Sequence, residues 1–114
     1  MESLTSLMPD RGIKNVFFIG IAGVGMSGIA EVLLSLGYQV FGSDQLENAA
    51  SQRLCSLGAT IYHGHVAEQV EAMDVVVVSS AINADNVELI RAHEKRIPVI
   101  PRAEMLAEVM RFRK

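Results

Sequence analysis

Four consecutive valines, Val75 to Val78, framed by Asp74 and Ser79, restrict this 114-residue chain more than any other segment. β-Branched side chains are stiff at χ1 and suit extended backbone, and alternate residues of a strand face opposite sides of its sheet. A strand with Val at every position is therefore apolar on both faces. That pattern fits a central strand of a parallel sheet, covered by helices on each side.

The flanking sequence supplies such a sheet. Val16-Phe17-Phe18-Ile19 is a second fully apolar run. After it, Ile29, Val32, Leu33 and Leu36 recur at helical spacing, and Gly37 stands at the expected C-terminal stop. A second strand is expected over Gln39 to Gly42, ending at Ser43-Asp44. A second helix is expected within Asn48 to Leu57, stopping at Gly58. Thr60-Ile61-Tyr62 reads as a short third strand and Pro98-Val99-Ile100 as a fifth. Between the fourth and fifth, Asp85 is placed to cap a helix over Asn86 to Lys95, with Glu88 at capping-box spacing. A last helix is expected over Ala103 to Phe112, and Arg111 and Arg113 suit its C-terminus.

This alternation, with short right-handed connections, predicts an α/β fold. It is a single-domain, Rossmann-like, doubly wound five-stranded parallel sheet of order 3-2-1-4-5. The domain covers residues 15–114, and residues 1–14, with Pro9 and Gly12 and no clear period, form a lead-in. Ligands of such sheets bind beyond the carboxyl ends of the strands. Those ends are Gly20 to Gly28, Ser43-Asp44, His63 to His65, Ser79 to Ile82, and Pro101-Arg102.

Composition narrows the function. Half the residues are hydrophobic, so a core can form. The net charge of −3 gives no footprint for nucleic acid or an anionic membrane. One cysteine, Cys55, excludes an internal disulfide and suits a reducing cytoplasm; with no cationic neighbour it reads as a packing residue. The apolar stretch Val16 to Met26 is too short and too glycine-rich for a membrane span, and a soluble, cytoplasmic protein is expected.

Gly23-x-Gly25-x-x-Gly28, directly after a strand and opening a helix, has the spacing of a dinucleotide fingerprint. Glycine is wanted there for a tight turn, for close approach of a pyrophosphate and for helix-on-strand packing, and the helix N-terminus offers free N–H groups. Gly20-x4-Gly25-Met26-Ser27 also has P-loop spacing, but Met26 replaces the required lysine, so this loop is not expected to use ATP. Asp44, about 20 residues past the loop, is placed for a ribose diol or, more plainly, for a turn. Ser79 and Ser80 offer hydroxyls at a strand end. His63 and His65 flank a glycine without acidic or cysteine partners and make a poor metal site. No catalytic constellation stands out. From these residues alone a stand-alone NAD-binding domain of a sensor or dehydrogenase remains open, as does an interaction module docking through its last helix.

Longer motifs go further. Gly20-Ile-Ala-Gly-Val-Gly-Met-Ser-Gly-Ile-Ala-Glu-Val-Leu33, Gly42-Ser-Asp44, Leu57-Gly-Ala-Thr-Ile61, Asp74-Val-Val-Val-Val-Ser-Ser-Ala-Ile82 and Ile97-Pro-Val-Ile-Pro-Arg-Ala-Glu-Met-Leu106 follow one another over nearly the whole chain. Together they resemble the N-terminal domain of the Mur ligases, the ATP-dependent enzymes of peptidoglycan synthesis. Within that family they resemble the branch that joins L-alanine to UDP-N-acetylmuramate through an acyl phosphate. The runs Ser79 to Ile82 and Arg102 to Met105 favour it over the branch that reattaches recycled tripeptide.

The resemblance implies a domain that binds UDP-N-acetylmuramate. Gly23, Val24, Gly25, Met26 and Ser27 would hold the pyrophosphate, and Asp44 would lie against the uridine. His65, Ser79, Ser80, Ala81 and Ile82 would line the pocket, and Arg102 would contact the ligand or a neighbouring domain. It implies no catalytic residue, metal or cofactor here. ATP, Mg2+ and L-alanine are expected on the ligase's own central and C-terminal domains, so this chain is expected to bind without catalysing. One departure is Ala22, where the family usually has glycine. It fits if its φ is negative.

Overall fold

The structure, a computed structural model, describes residues 13–112, with side chains through Glu108. Most of the lead-in, Arg113 and the Arg111 side chain lie outside the described residues. The chain runs β1 (Asn15–Ile19), α1 (Met26–Ser35), β2 (Gln39–Asp44), α2 (Ala49–Ser56), β3 (Thr60–His63), a 3-10 turn (Ala67–Val70), β4 (Val75–Val78), α3 (Val87–Glu94), β5 (Val99–Pro101) and α4 (Arg102–Phe112). All five strands are parallel, in the order β3-β2-β1-β4-β5. This is the Rossmann-like order the sequence predicts.

The valine run is explained by two apolar layers. Val16 and Phe18 of β1 face the same side as Val75 and Val77 of β4, where Ile29, Ala30 and Leu33 of α1, Leu54 of α2 and Met105 of α4 pack on them. Phe17, Ile19 and Val76 face the other side, under Val70 and Ala92. Phe17 and Tyr62 stack there with ring centroids 6.5 Å apart. Asp74 ties the strand starts together at the end of the sheet opposite the glycine loop. Its Oδ2 accepts from the Lys14 and Asn15 N–H groups at 2.9 and 2.8 Å.

The structure corrects several local expectations. Asn86, not Asp85, caps α3: its backbone is extended and its Oδ1 accepts from the N–H groups of Glu88 and Leu89. Glu88 therefore closes no capping box; its side chain turns inward. The 3-10 turn has no counterpart among the expected elements, and it carries the buried Val70 that fills the second layer. Arg102 already belongs to α4.

Gly28 is exposed, and a β-carbon there would meet nothing within 4 Å, so it serves no helix-on-strand packing. The close approach lies at Gly42 instead, where a β-carbon would sit 2.5 Å from Ile21 Cδ1 and 2.7 Å from its Cβ. Ile21 is buried and lies directly over β2, which pins the start of the glycine loop to the sheet.

Candidate functional site

The loop between β1 and α1 is tied to β2 by backbone and side chain. The Gly20 and Ile21 N–H groups both donate to the Ser43 carbonyl, at 2.8 and 3.0 Å. The Ala22 N–H donates to Asp44 Oδ2 at 2.9 Å, and Asn48 Nδ2 donates to the Ala22 carbonyl at 3.2 Å. Ala22 needs no left-handed backbone: among the described residues Arg96 is the only non-glycine with positive φ. Two glycines do need it, Gly20 and Gly25, each at φ +83°. At Gly23 the requirement is space, since a β-carbon would sit 3.1 Å from the Gly20 carbonyl oxygen.

The loop then opens α1 with an empty cap. Gly25 is the N-cap and offers no side chain to the first-turn N–H groups, which leaves the positive end of the helix dipole available to an anion. Val24 is fully exposed at the tip (100%), while Met26 is buried in the core beneath it. A cation stands beside this end. A β-carbon on Gly25 would lie 3.1 Å from Arg102 Nη1 and 3.3 Å from its Cδ. Among the described residues Arg102 has no ion-pair or hydrogen-bond partner. A guanidinium against a helix N-terminus is unfavourable by a few tenths of a kcal/mol to about 1. The arrangement becomes favourable once an anion sits between them.

Across the loop, Ile82 reaches Gly20: a β-carbon there would lie 3.2 Å from Ile82 Cδ1. Ser79 folds the β4 end back, its Oγ accepting from the Ala81 N–H at 3.3 Å and its carbonyl from the Ile82 N–H at 3.2 Å. Ser80 and Ala81 are exposed. Gly23 to Ser27, Ser79 to Ile82 and Arg102 thus gather around one loop at the β1–β4 switch point.

Asp44 sits at the edge of this group with its oxygens in use. Oδ2 holds Ala22, Oδ1 accepts from the Leu46 N–H at 2.9 Å, and its carbonyl accepts from Gly64. Each carboxylate oxygen keeps a second acceptor position for a ligand hydroxyl. Beyond Asp44 lies a cavity of about 270 Å³, lined among others by Leu46, Gln52, Cys55, Ile61 and His63. Of the expected site residues only Asp44 borders it. Cys55 is exposed there. That overturns its reading as a packing residue: α2 buries Ser51 and Leu54, and position 55 turns away from the sheet.

His65 does have an acidic partner, which sequence spacing missed. Its Nδ1 lies 2.8 Å from Ser43 Oγ and 2.9 Å from Glu88 Oε1, and Ser43 Oγ donates to Glu88 Oε1 at 2.5 Å. Glu88 Oε2 accepts from Gln69 Nε2 at 2.5 Å and from the Val66 N–H at 3.2 Å. The only hint of this cluster in the sequence is a glutamate set between Val87 and Leu89 in a first helical turn. Serine, histidine and acid meet, but on one ring nitrogen, which is not the relay of a nucleophilic triad. Among the described residues no group of His, Cys, Asp or Glu is arranged to hold a metal, and no helix is long and apolar enough to cross a membrane.

Comparison with known proteins bears on the family and the fold. Residues 15–114 match the family model described as Mur ligase family, catalytic domain. UDP-N-acetylmuramate–alanine ligase from Thermotoga maritima is 32% identical, with a TM-score of 0.81 over 85% of this chain and 23% of that one. The UDP-N-acetylmuramate:L-alanyl-γ-D-glutamyl-meso-diaminopimelate ligase from Neisseria meningitides is 27% identical, with a TM-score of 0.77 over 85% and 31%. A murein peptide ligase from Psychrobacter arcticus is 26% identical, with a TM-score of 0.78 over 83% and 20%. The chain thus spans between a fifth and a third of the solved relatives it matches. With its sequence matched to the family model and its fold to these ligases, the chain belongs to the Mur ligase family.

Proposed function

We propose that this chain is the UDP-N-acetylmuramate-binding domain of the ligase that adds L-alanine to that nucleotide sugar in peptidoglycan synthesis. The observation that carries the reading is Arg102 against Gly25. A guanidinium and an uncapped helix N-terminus converge on one point with no acid to neutralise either, which suits a pyrophosphate. Within Gly23 to Ser27 the Gly23 and Met26 N–H groups are spent on the Gly20 and Gly23 carbonyls, at 3.0 and 3.1 Å, so the remaining N–H groups of this loop and the Arg102 guanidinium hold the diphosphate. Asp44 and the cavity beyond it receive the uridine, and Ser79 to Ile82 close the opposite wall.

ATP does not fit this loop. Met26 stands where a triphosphate-binding lysine is required, and its side chain is buried in the core. In our reading ATP and Mg2+ activate the muramate carboxylate on the ligase's central domain, and L-alanine is bound by the remainder of that enzyme. What this chain contributes is position: it anchors the nucleotide so that the muramoyl end projects toward those domains. The work belongs in the cytoplasm, where nucleotide-sugar precursors and ATP are at hand. The preference for the alanine-adding branch over tripeptide reattachment is supported by the higher identity to the Thermotoga maritima enzyme.

Calorimetric titration with UDP-N-acetylmuramate, UDP, NAD and ATP tests the proposal. Saturable binding of the uridine ligands alone is expected, with a Kd between about a micromolar and a millimolar, or about −8 to −4 kcal/mol. Tighter binding of NAD than of UDP would overturn it in favour of a dehydrogenase-like domain.

A further inference from the structure

We infer that Glu88 is a positioning residue: it fixes His65 as the Nδ1–H tautomer, so that Nε2 presents an acceptor to a hydrogen-bond donor on the ligand. The inference rests on the proposed nucleotide site for the identity of that ligand, but not for the tautomer.

The proton count around Nδ1 decides the tautomer. Ser43 has one hydroxyl proton, and it is given to Glu88 Oε1. What remains within reach of Nδ1 is the Ser43 Oγ lone pair at 2.8 Å and the Glu88 carboxylate oxygen at 2.9 Å. A ring nitrogen facing two acceptors must itself carry the hydrogen. In the neutral imidazole the other nitrogen is then bare.

The acid that imposes this is unusually well held. Glu88 is fully buried (0%), and its carboxylate gathers donors from four places: Ser43 on β2, His65 beyond β3, Val66, and Gln69 on the 3-10 turn. A buried carboxylate with every oxygen occupied by donors cannot rotate to release the ring without leaving several of them unsatisfied. Ser43, the residue that shares this carboxylate, also receives the Gly20 and Ile21 N–H groups on its carbonyl. The histidine is therefore coupled through one residue to the phosphate loop. Its side chain is 15% exposed, and Nε2 has no partner among the described residues.

An acceptor presented at this edge suits two donors on a uridine nucleotide, the imide N3–H of the base and a ribose hydroxyl. A cytosine ring offers an acceptor at N3 and would be disfavoured. The donors are told apart by N3-methyl-UDP, which lacks the imide hydrogen, and by 2′-deoxy-UDP and 3′-deoxy-UDP, which each lack one ribose hydroxyl.

The test has two parts. First, 15N NMR of His65 in the ligand-free chain, with the ring neutral, is expected to show hydrogen on Nδ1 and none on Nε2. The Nε2–H tautomer would overturn the inference whether or not UDP binds. Glu88→Gln is expected to abolish this fixed signature; its persistence in a folded variant would remove Glu88 as the cause.

Second, His65→Asn keeps a donor in the place of Nδ1 and deletes Nε2, so the fold is expected to survive. Wild type is expected to discriminate at least tenfold against one of the three analogues, and His65→Asn to lose that discrimination. Equal discrimination in both proteins, or none in wild type, would show that Nε2 does not meet the ligand. If UDP binds to neither protein, the function proposal fails while the tautomer result still stands by itself.

Discussion

The Asp44 carboxylate and the Ala22 amide meet at 2.9 Å, joining the end of β2 to the loop that follows β1. The contact makes Asp44 part of the loop's scaffold as well as a wall of the cavity beside it. The same carboxylate closes the turn at Leu46. A residue of this kind affects stability and binding together, and the two must be measured separately.

Asp44→Asn is expected to lower stability by about 1–3 kcal/mol, because one amide NH2 is turned toward a backbone N–H that needs an acceptor. UDP affinity is expected to fall by a further ~1.5–3 kcal/mol if the ribose hydrogen-bonds to the charged acid. Chemical denaturation and calorimetric titration on the same preparation separate the two. A destabilised variant with unchanged affinity would confine Asp44 to its structural role.

Much of this architecture is legible in the sequence. The valine run, the apolar periodicity of α1 and the stops at Gly37 and Gly58 depend on local physics, and they lead to the observed strand order. The second helix falls within its expected bounds, and the structure adds its cap, Asn48, whose reciprocal bonds with Ser51 form a capping box. The features that escape depend on approach in three dimensions. Nothing local says that Ile21 presses on Gly42, that Arg102 crosses to Gly25, or that Glu88 turns inward to His65 across 23 residues. The misreading of Glu88 has a physical cause. A glutamate three residues after Asp85 has capping-box spacing, but Asn86 already satisfies the first-turn amides and frees it for the interior.

Gly25→Val separates backbone approach from folding. The position needs φ +83°, and its β-carbon would press on the Arg102 side chain at 3.1–3.3 Å. The expected strain is about 1–2 kcal/mol, which a core of this size tolerates. UDP binding, however, should be lost beyond detection. Circular dichroism showing a native spectrum beside normal UDP affinity would place the phosphates elsewhere.

Gly42→Ala probes the underside of the same loop. The added carbon meets Ile21 at its Cβ and Cγ2, not only at its flexible end, so the loop itself has to move. Overpacking of this kind costs about 1–3 kcal/mol. The variant is expected to unfold earlier in urea and to bind UDP more weakly. Ile21→Ala in the same chain should recover part of the lost affinity by reopening the space. Unchanged binding in Gly42→Ala would mean that the loop adapts without cost.

The Glu31–Arg53 ion pair links α1 to α2 on the surface, with the guanidinium donating at 2.9 and 3.1 Å. The hydrogen bond from Arg53, chiefly, holds the Glu31 carboxyl below the ordinary value of a glutamate. A carboxyl depressed on folding contributes stability above its unfolded pKa and loses it as pH falls through the folded value. The contribution is expected to be small, because both groups are exposed and screened. Arg53→Gln should reduce stability slightly at neutral pH and flatten its acid slope below about pH 4.5. An unaltered slope in urea titrations across that range would show that the pair adds nothing.

Arg102→Ala addresses the observation on which the proposed function rests. In the free chain the guanidinium faces the positive end of α1, so its removal should leave stability unchanged or slightly raised. With a pyrophosphate in place the same group becomes a charge-assisted donor, and its loss is expected to cost about 1.5–3 kcal/mol, or about 10- to 150-fold in affinity for UDP. Uridine itself carries no phosphate, and its binding should be little altered. Titration of both ligands against wild type and variant, repeated at two salt concentrations, distinguishes a phosphate contact from a general loss of the site. If uridine and UDP weaken together, Arg102 supports the shape of the pocket and the anion is held by the loop alone.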